Sequence, residues 1–252
     1  MEGDLLWNAG RTSSFYIEEK ANELVQGKDV LEIGAAAGVP SIVSTIKGAR
    51  TVVMTDYPDP DLVDIMRQNA SLSVSMFPKQ ESPSLHVEGY KWGNSVDSLL
   101  SYLPSGEKDG FDLLIMADVI YSHREHTNLI KTMKQTLKRN QESVALVVFT
   151  PYQPWLLPKI ANFFPLAEQS GFQVSKVFEK VVDKVLFAND PGVCSIAYCG
   201  AFFFFFFFCR CRAGYANIGF LDRMKNFDVQ YSGMSYDGQG TNSSIDWNSH
   251  SG

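Results

Sequence analysis

Asp29-Val30-Leu31-Glu32-Ile33-Gly34-Ala35-Ala36-Ala37-Gly38, followed by Thr51-Val52-Val53-Met54-Thr55-Asp56, decides the fold. The first stretch reads as a buried strand running into a turn of small residues. The second reads as another strand ending in an acid. A turn without bulk lets backbone approach a ligand closely. An acid after the second strand can accept both hydroxyls of a ribose. The pair therefore describes a nucleoside cradle at one end of a sheet.

The turn also bears on which nucleoside cofactor it takes. A dinucleotide fingerprint is G-x-G-x-x-G, with the pyrophosphate at a helix N-terminus. Here the pattern is G-x-A-x-G, and Glu32 stands two residues ahead of the first glycine. Glu32 would repel a pyrophosphate but suits a cationic amino-acid group. S-adenosyl-L-methionine (AdoMet) carries that group with a ribose, an adenine and no phosphate. NAD or FAD is the competing ligand, and a plain βαβ turn packed for its own sake is the bland alternative.

Outward from this core, strand-like and helix-like segments alternate, which implies an α/β fold with a mostly parallel sheet. Strands are expected at residues 30–33, 51–55, 85–90, 112–116, 143–150 and 172–182. Helices are expected at 12–25, capped by Thr12 or Ser13, then from Pro40 to Ile46 and from Asp59 toward Ser73. Further helices are expected near 96–102, from His123 to Arg139 and from Pro154 to Gln169. His123-Arg124-Glu125-His126 could suggest a metal pair, but its spacing without further ligands reads as a solvated helix face.

The 252 residues suffice for one domain with a full core. A net charge of −6 and a sequence pI of about 5.2 argue against a generic nucleic-acid binder. Four cysteines, all between 194 and 211, do not make a disulfide framework in a chain this long. The acidic start Met1-Glu2-Gly3-Asp4 has no apolar stretch after it, so the expectation is a cytoplasmic monomer without a membrane segment. The character changes near Cys194. Seven consecutive phenylalanines, Phe202–Phe208, precede a tail rich in Gly, Ser, Asn and Asp. The expected organisation is a catalytic domain over 1–193, an aberrant Phe-rich segment over 194–212 and a disordered tail over 213–252.

Several blocks occur in a telling order: Leu5-Leu6-Trp7-Asn8-Ala9-Gly10, Gly27 to Ser41, Thr55-Asp56-Tyr57-Pro58-Asp59 and Tyr90-Lys91-Trp92-Gly93. Then come Ala117-Asp118-Val119-Ile120-Tyr121-Ser122-His123, Phe149-Thr150-Pro151 and Phe187-Ala188-Asn189-Asp190-Pro191-Gly192. With these, the chain resembles the seven-β-strand, Rossmann-like methyltransferases of family 16. Within that family it is similar to the protein N-terminal and lysine methyltransferases acting on translation elongation factor 1-alpha, once labelled nicotinamide N-methyltransferase-like.

The resemblance implies AdoMet as cofactor and a role for each matched residue. Trp7 would close over the cofactor. Gly34, Ala35 and Ala36 would line its methionine side, and Asp56 would bind the ribose. Trp92 would lie near the adenine, and Ala117 near the reacting centre. Asp118 and Tyr121 would face the acceptor amine. The resemblance also implies a covering segment before Leu5 and a final antiparallel strand between strands five and six. The chain departs from the family at both places, so that last strand is expected to be altered or missing, leaving two open edges. The other functions weighed are a small-molecule N-methyltransferase, with nicotinamide the named candidate, and a non-catalytic AdoMet-binding product.

Overall fold

The computed structural model describes residues 7–74, 84–104, 109–151, 154–182 and 202–211. By its contacts the chain divides into two units, Met1–Asn217 and Ile218–Gly252, and every described residue lies in the first. The expected tail over 213–252 and the Phe187–Gly192 block lie outside the described residues.

Seven strands form one sheet: β1 (Asp29–Ile33), β2 (Thr51–Asp56), β3 (Ser84–Gly89), β4 (Leu113–Ala117), β5 (Val144–Phe149), β6 (Phe172–Val182) and β7 (Phe202–Cys211). Their order is β3-β2-β1-β4-β5-β7-β6. The first five strands pair in parallel, and β7 runs antiparallel to both β5 and β6. Val144–Phe149 is buried at every position, as a central parallel strand requires.

The expectation about the last strand is corrected. Phe202–Cys211 occupies the place between β5 and β6, with Val148 opposite Phe206 and Phe172 opposite Cys211. Phenylalanine is a strong strand former. A run of it therefore satisfies the backbone pairing the sheet needs at this position, whatever its resemblance to the family pattern.

The helices are α1 (Asn8–Glu19), α2 (Ala21–Leu24), α3 (Val39–Ile46), α4 (Pro60–Ser73), α5 (Asp97–Leu100), α6 (His126–Thr136), α7 (Leu157–Ala161) and α8 (Phe163–Gln169). Two starts match local sequence signals. Pro40 stands in the first turn of α3, and Asp59 caps α4 by accepting from the Asp61 amide at 3.0 Å.

The first helix departs from expectation. It begins at Asn8, and Thr12, Ser13 and Ser14 turn their hydroxyls back onto the carbonyls of Asn8 and Gly10 instead of capping. The helix expected over 154–169 is a 3₁₀ turn followed by two short helices.

One apolar cluster joins Ala9 and Ile17 of α1 to Val30, Val52, Leu113, Ile115, Val144, Leu146 and Val148 on one sheet face. Met54, on that same face, packs with Val63 and Met66 of α4. The strand order reverses direction between β1 and β4, and right-handed crossovers then carry the later helices to the opposite face. There α6 meets α8, with His126 edge-on to Phe163 at 5.3 Å between ring centres. The reversal opens a crevice beyond the carboxyl ends of β1 and β4, where open α/β sheets bind ligands.

The other end of β1 is sealed by an ion cluster. Asp29 is fully buried, its carboxylate is gripped by Arg50 at 2.5 Å, and Lys138 lies 3.6 Å away. Burial alone would raise this carboxyl. The Arg50 and Thr51 hydrogen bonds and the two cations outweigh it and hold the group below its ordinary value.

Because β7 has a partner on both sides, its backbone amides are structural. Phe206→Pro should destabilise the protein by about 1–3 kcal/mol, through a lost ladder bond and a partner carbonyl left without its donor. Urea unfolding with an unchanged midpoint in this variant would show that the strand contributes nothing to the sheet.

Candidate functional site

The small-residue turn after β1 is held from three sides. The Ala35 amide donates to the Thr55 carbonyl at 2.9 Å, and the Ala36 amide donates to Asp56 Oδ2 at 2.7 Å. Asn69, from α4, donates its side-chain amide to the Ala37 carbonyl at 3.0 Å. Ala36 itself sits at φ +49, in the left-handed region, which such a network can sustain.

Gly34 has a steric reason to be glycine. Its φ is +72, and an added Cβ would stand 2.5 Å from Val119 Cγ1 and 3.4 Å from Trp92 Cζ2. The turn after β1, the segment after β4 and the tryptophan after β3 thus converge on one point. Sequence reasoning placed Trp92 and Gly34 in one site, and the structure brings them into contact range. Val119 was missed, because nothing in its local pattern distinguishes it from a strand residue.

Asp56 closes β2. Its two oxygens accept from the amides of Ala36 at 2.7 Å and Tyr57 at 2.6 Å. Burial raises its carboxyl above the usual range, against the pull of those two donors. Asp56 does not cap α4, since Asp59 does that. A carboxylate in this position, beside a turn without side-chain bulk and a tryptophan, fits the ribose and adenine of AdoMet.

Glu32 behaves differently from the sequence expectation. It is 1% exposed, and its Oε2 accepts from the Ser41 amide at 2.9 Å and the Ser41 hydroxyl at 2.6 Å. It therefore ties β1 to the first turn of α3 and is not presented to a ligand. Burial pushes its pKa to about 8, with the Ser41 bonds opposing and the Asp56 charge adding to the rise. The carboxyl is thus held inside the fold by Ser41, and burial weakens its charge.

The segment after β4 carries the other candidates. Ala117 is half-buried at the strand end and packs against the core beneath α1. Asp118 has φ +50; its Oδ1 accepts from the Thr150 amide at 2.7 Å and its Oδ2 from the Ala9 amide at 3.2 Å. It does not cap α6, whose N-cap position is Glu125.

Val119 and Ile120 are buried, and Tyr121 turns outward with 64% of its surface exposed. Contact with the surrounding protein raises the Tyr121 phenol, and the charges of Asp56 and Asp118 raise it further. The three groups therefore share one field. Trp7, half-buried, precedes α1, and its carbonyl accepts from the Arg11 amide.

His126 is 2% exposed and its Nε2 lies 2.7 Å from the Ile120 carbonyl, which corrects the solvated-face reading of that residue. Among the described residues no group of three or more metal-binding side chains occurs, and no helix is long and apolar enough to cross a membrane.

The Glu32 shift has a sign that can be measured. Its folded pKa of about 8 lies above its ordinary value of 4.5. The folded state then binds more protons than the unfolded state, and stability falls as pH rises between those values. Glu32→Gln should flatten the fall, as read from urea midpoints at a series of pH values. An equally steep fall in the variant would place the pH dependence elsewhere.

Comparison with known proteins agrees with this geometry. The YcgJ protein from Bacillus subtilis shares the fold, with a TM-score of 0.56 at 11% identity, covering 81% of this chain and all of that one. The protein N-terminal and lysine N-methyltransferase efm7 of Aspergillus fumigatus is 73% identical over 190 residues, which is 75% of this chain and 72% of that protein. The protein of the same name from Emericella nidulans is 69% identical over 191 residues, 75% of this chain and 74% of its own length. Residues 2–152, more than half of the chain, match the family described as lysine methyltransferase. The chain belongs to that family and is an N-methyltransferase whose methyl donor is AdoMet.

Proposed function

We propose that this enzyme methylates the N-terminal amine and a nearby lysine of translation elongation factor 1-alpha, in the cytoplasm and as a monomer. The observation that carries the reading is the exposed Tyr121, which feels the charges of Asp56 and Asp118, at the same strand edge as the Gly34 turn that would cradle the cofactor. Relatives named as protein N-terminal and lysine N-methyltransferases support a protein acceptor. The exposure of Tyr121 and of Tyr57, at 64% and 54%, favours an open approach over the closed aromatic pocket a free nicotinamide would need.

When bound, AdoMet supplies an electrophilic methyl group on a sulfonium. The residues of the chain then have to position and discharge the acceptor. Asp56 would hold the ribose hydroxyls, on lone pairs left beside its two backbone donors. Gly34, Ala35 and Ala36 leave room for the methionine side, Trp92 would flank the adenine, and Trp7 would cover the cofactor from the start of α1. Ala117 keeps the reacting centre free of bulk.

The acceptor amine must arrive neutral to be a nucleophile. Asp118 and Tyr121 orient it, and the carboxylate draws the proton that the amine sheds. The aromatic ring of Tyr121 would stabilise the cationic methyl group and the product ammonium. Positioning two reactants in line supplies most of what such a displacement needs.

Asp56→Ala should weaken AdoMet binding by about 1–3 kcal/mol, the loss of charge-assisted hydrogen bonds. Equal affinity by calorimetry would remove Asp56 from the ribose. Tyr121→Phe should lower kcat about tenfold with AdoMet affinity unchanged, since the hydroxyl acts on the acceptor side alone. The decisive assay is methyl incorporation from labelled AdoMet into unmodified elongation factor 1-alpha, with the site read by mass spectrometry. Added salt should weaken acceptor binding if the negative charge of the chain attracts a basic substrate. Labelling of free nicotinamide and of no protein would overturn the proposal.

A further inference from the structure

The segment Asp118–Glu125 lies between β4 and α6, and its first three residues are fixed one by one. Asp118 is held by amides from α1 and from the end of β5. Val119 packs where a side chain on Gly34 would stand. Ile120 is fully buried, and its carbonyl faces the ring of His126. Beyond them, Tyr121 projects into solvent. A buried carbonyl needs a donor, and the bond from His126 supplies one here.

The state of His126 follows from that contact. A carbonyl can only accept, so Nε2 must carry the proton. Burial holds the imidazole pKa below its ordinary value, with the Ile120 carbonyl opposing and His123 adding to the fall. The ring is therefore the neutral Nε2–H tautomer at physiological pH. Its orientation is set from the other side by Phe163 of α8, edge-on at 80° between ring planes.

We propose that His126 is a positioning residue for methyl transfer: by donating to the Ile120 carbonyl it fixes the peptide immediately before Tyr121 and so sets where the phenol meets the acceptor amine. This rests on the reading that Tyr121 faces the acceptor. His126 touches neither cofactor nor acceptor. It has no place in the AdoMet cradle, so its loss should leave cofactor affinity unchanged. Without its donor the Ile120 carbonyl is buried and unpaired, which favours excursions of the loop toward water.

The test compares His126→Phe, which keeps a ring but removes the donor, with His126→Gln, whose amide nitrogen reaches about as far as Nε2. Thermal midpoint, AdoMet affinity, steady-state methylation of elongation factor 1-alpha and amide hydrogen exchange over residues 119–125 are read for each. In His126→Phe, exchange over that segment should quicken about tenfold and kcat should fall about tenfold, with AdoMet affinity and the acceptor KM held within about twofold. His126→Gln should recover most of both effects.

Equal losses of rate in the two variants, tracking their thermal midpoints, would reduce His126 to a packing residue and overturn the proposal. Unchanged exchange in His126→Phe would overturn it independently of any acceptor. Tyr121→Phe serves as the control. Full kcat in that variant removes Tyr121 from the acceptor site, whereas a slow Tyr121→Phe beside a fast His126→Phe removes only the positioning role.

Discussion

The structure turns on the carboxylate of Asp118. Helix α1 has no side-chain cap at Trp7, its own N-cap position, and the first amides of any helix lack partners within it. Asp118 supplies the missing acceptor to the Ala9 amide from 109 residues away, and its other oxygen takes the Thr150 amide at the end of β5. One side chain thereby joins α1, β4 and β5 at the edge where the sheet reverses direction. A negative charge at a helix N-terminus is also favourable to the helix dipole. The left-handed backbone of Asp118 costs on the order of 1 kcal/mol. Two charge-assisted hydrogen bonds are strong enough to sustain it.

That arrangement explains what could be read from the chain beforehand. Strands β1, β2, β4 and β5 announced themselves as short apolar runs bounded by turn residues, because a parallel strand buried on both faces needs no other signal. The starts of α3 and α4 were legible because Pro40 and Asp59 act within a turn of themselves. The start of α1 was not, because its cap is distant in sequence and the nearby Thr12 and Ser13 mimic a local one. The seven phenylalanines looked foreign to the domain, yet a strand paired on both sides asks chiefly for backbone amides and β propensity.

The site was legible to the extent that its residues stand at strand ends. Asp56 and Ala117 end parallel strands, and Gly34, Trp92, Asp118 and Tyr121 follow the carboxyl ends of others, which the topology gathers on one edge. What the pattern hides is direction. Glu32 and Ile33 are neighbours in an evidently buried strand, and nothing in the sequence says that the acid turns under α3 to Ser41 instead of toward a ligand. His126 was hidden for the same reason. Its spacing from His123 suggests a shared helix face, whereas one ring is exposed and the other lies against Phe163 and the Ile120 carbonyl.

The two ends of β1 show how the charge of the site is arranged. At the amino end, buried Asp29 and its neighbour Asp112 are matched by the full positive charges of Arg50 and Lys138, so the cluster is locally neutral and serves the fold. At the carboxyl end, the donors to Asp56 are backbone amides of Ala36 and Tyr57, and those to Asp118 include the amides of Ala9 and Thr150. Amide donors favour the ionised carboxylate without cancelling its charge, although burial outweighs them at Asp56. That suits the reaction, because a sulfonium, the departing proton and a product ammonium all carry positive charge. A lysine or arginine in place of those amides would stabilise the same carboxylates and oppose every one of these cations. Burial raises the nearby Glu32 carboxyl to about 8, which reduces its share of this field at neutral pH. The negative character of the edge thus comes from Asp56 and Asp118, the two acids whose charges reach Tyr121.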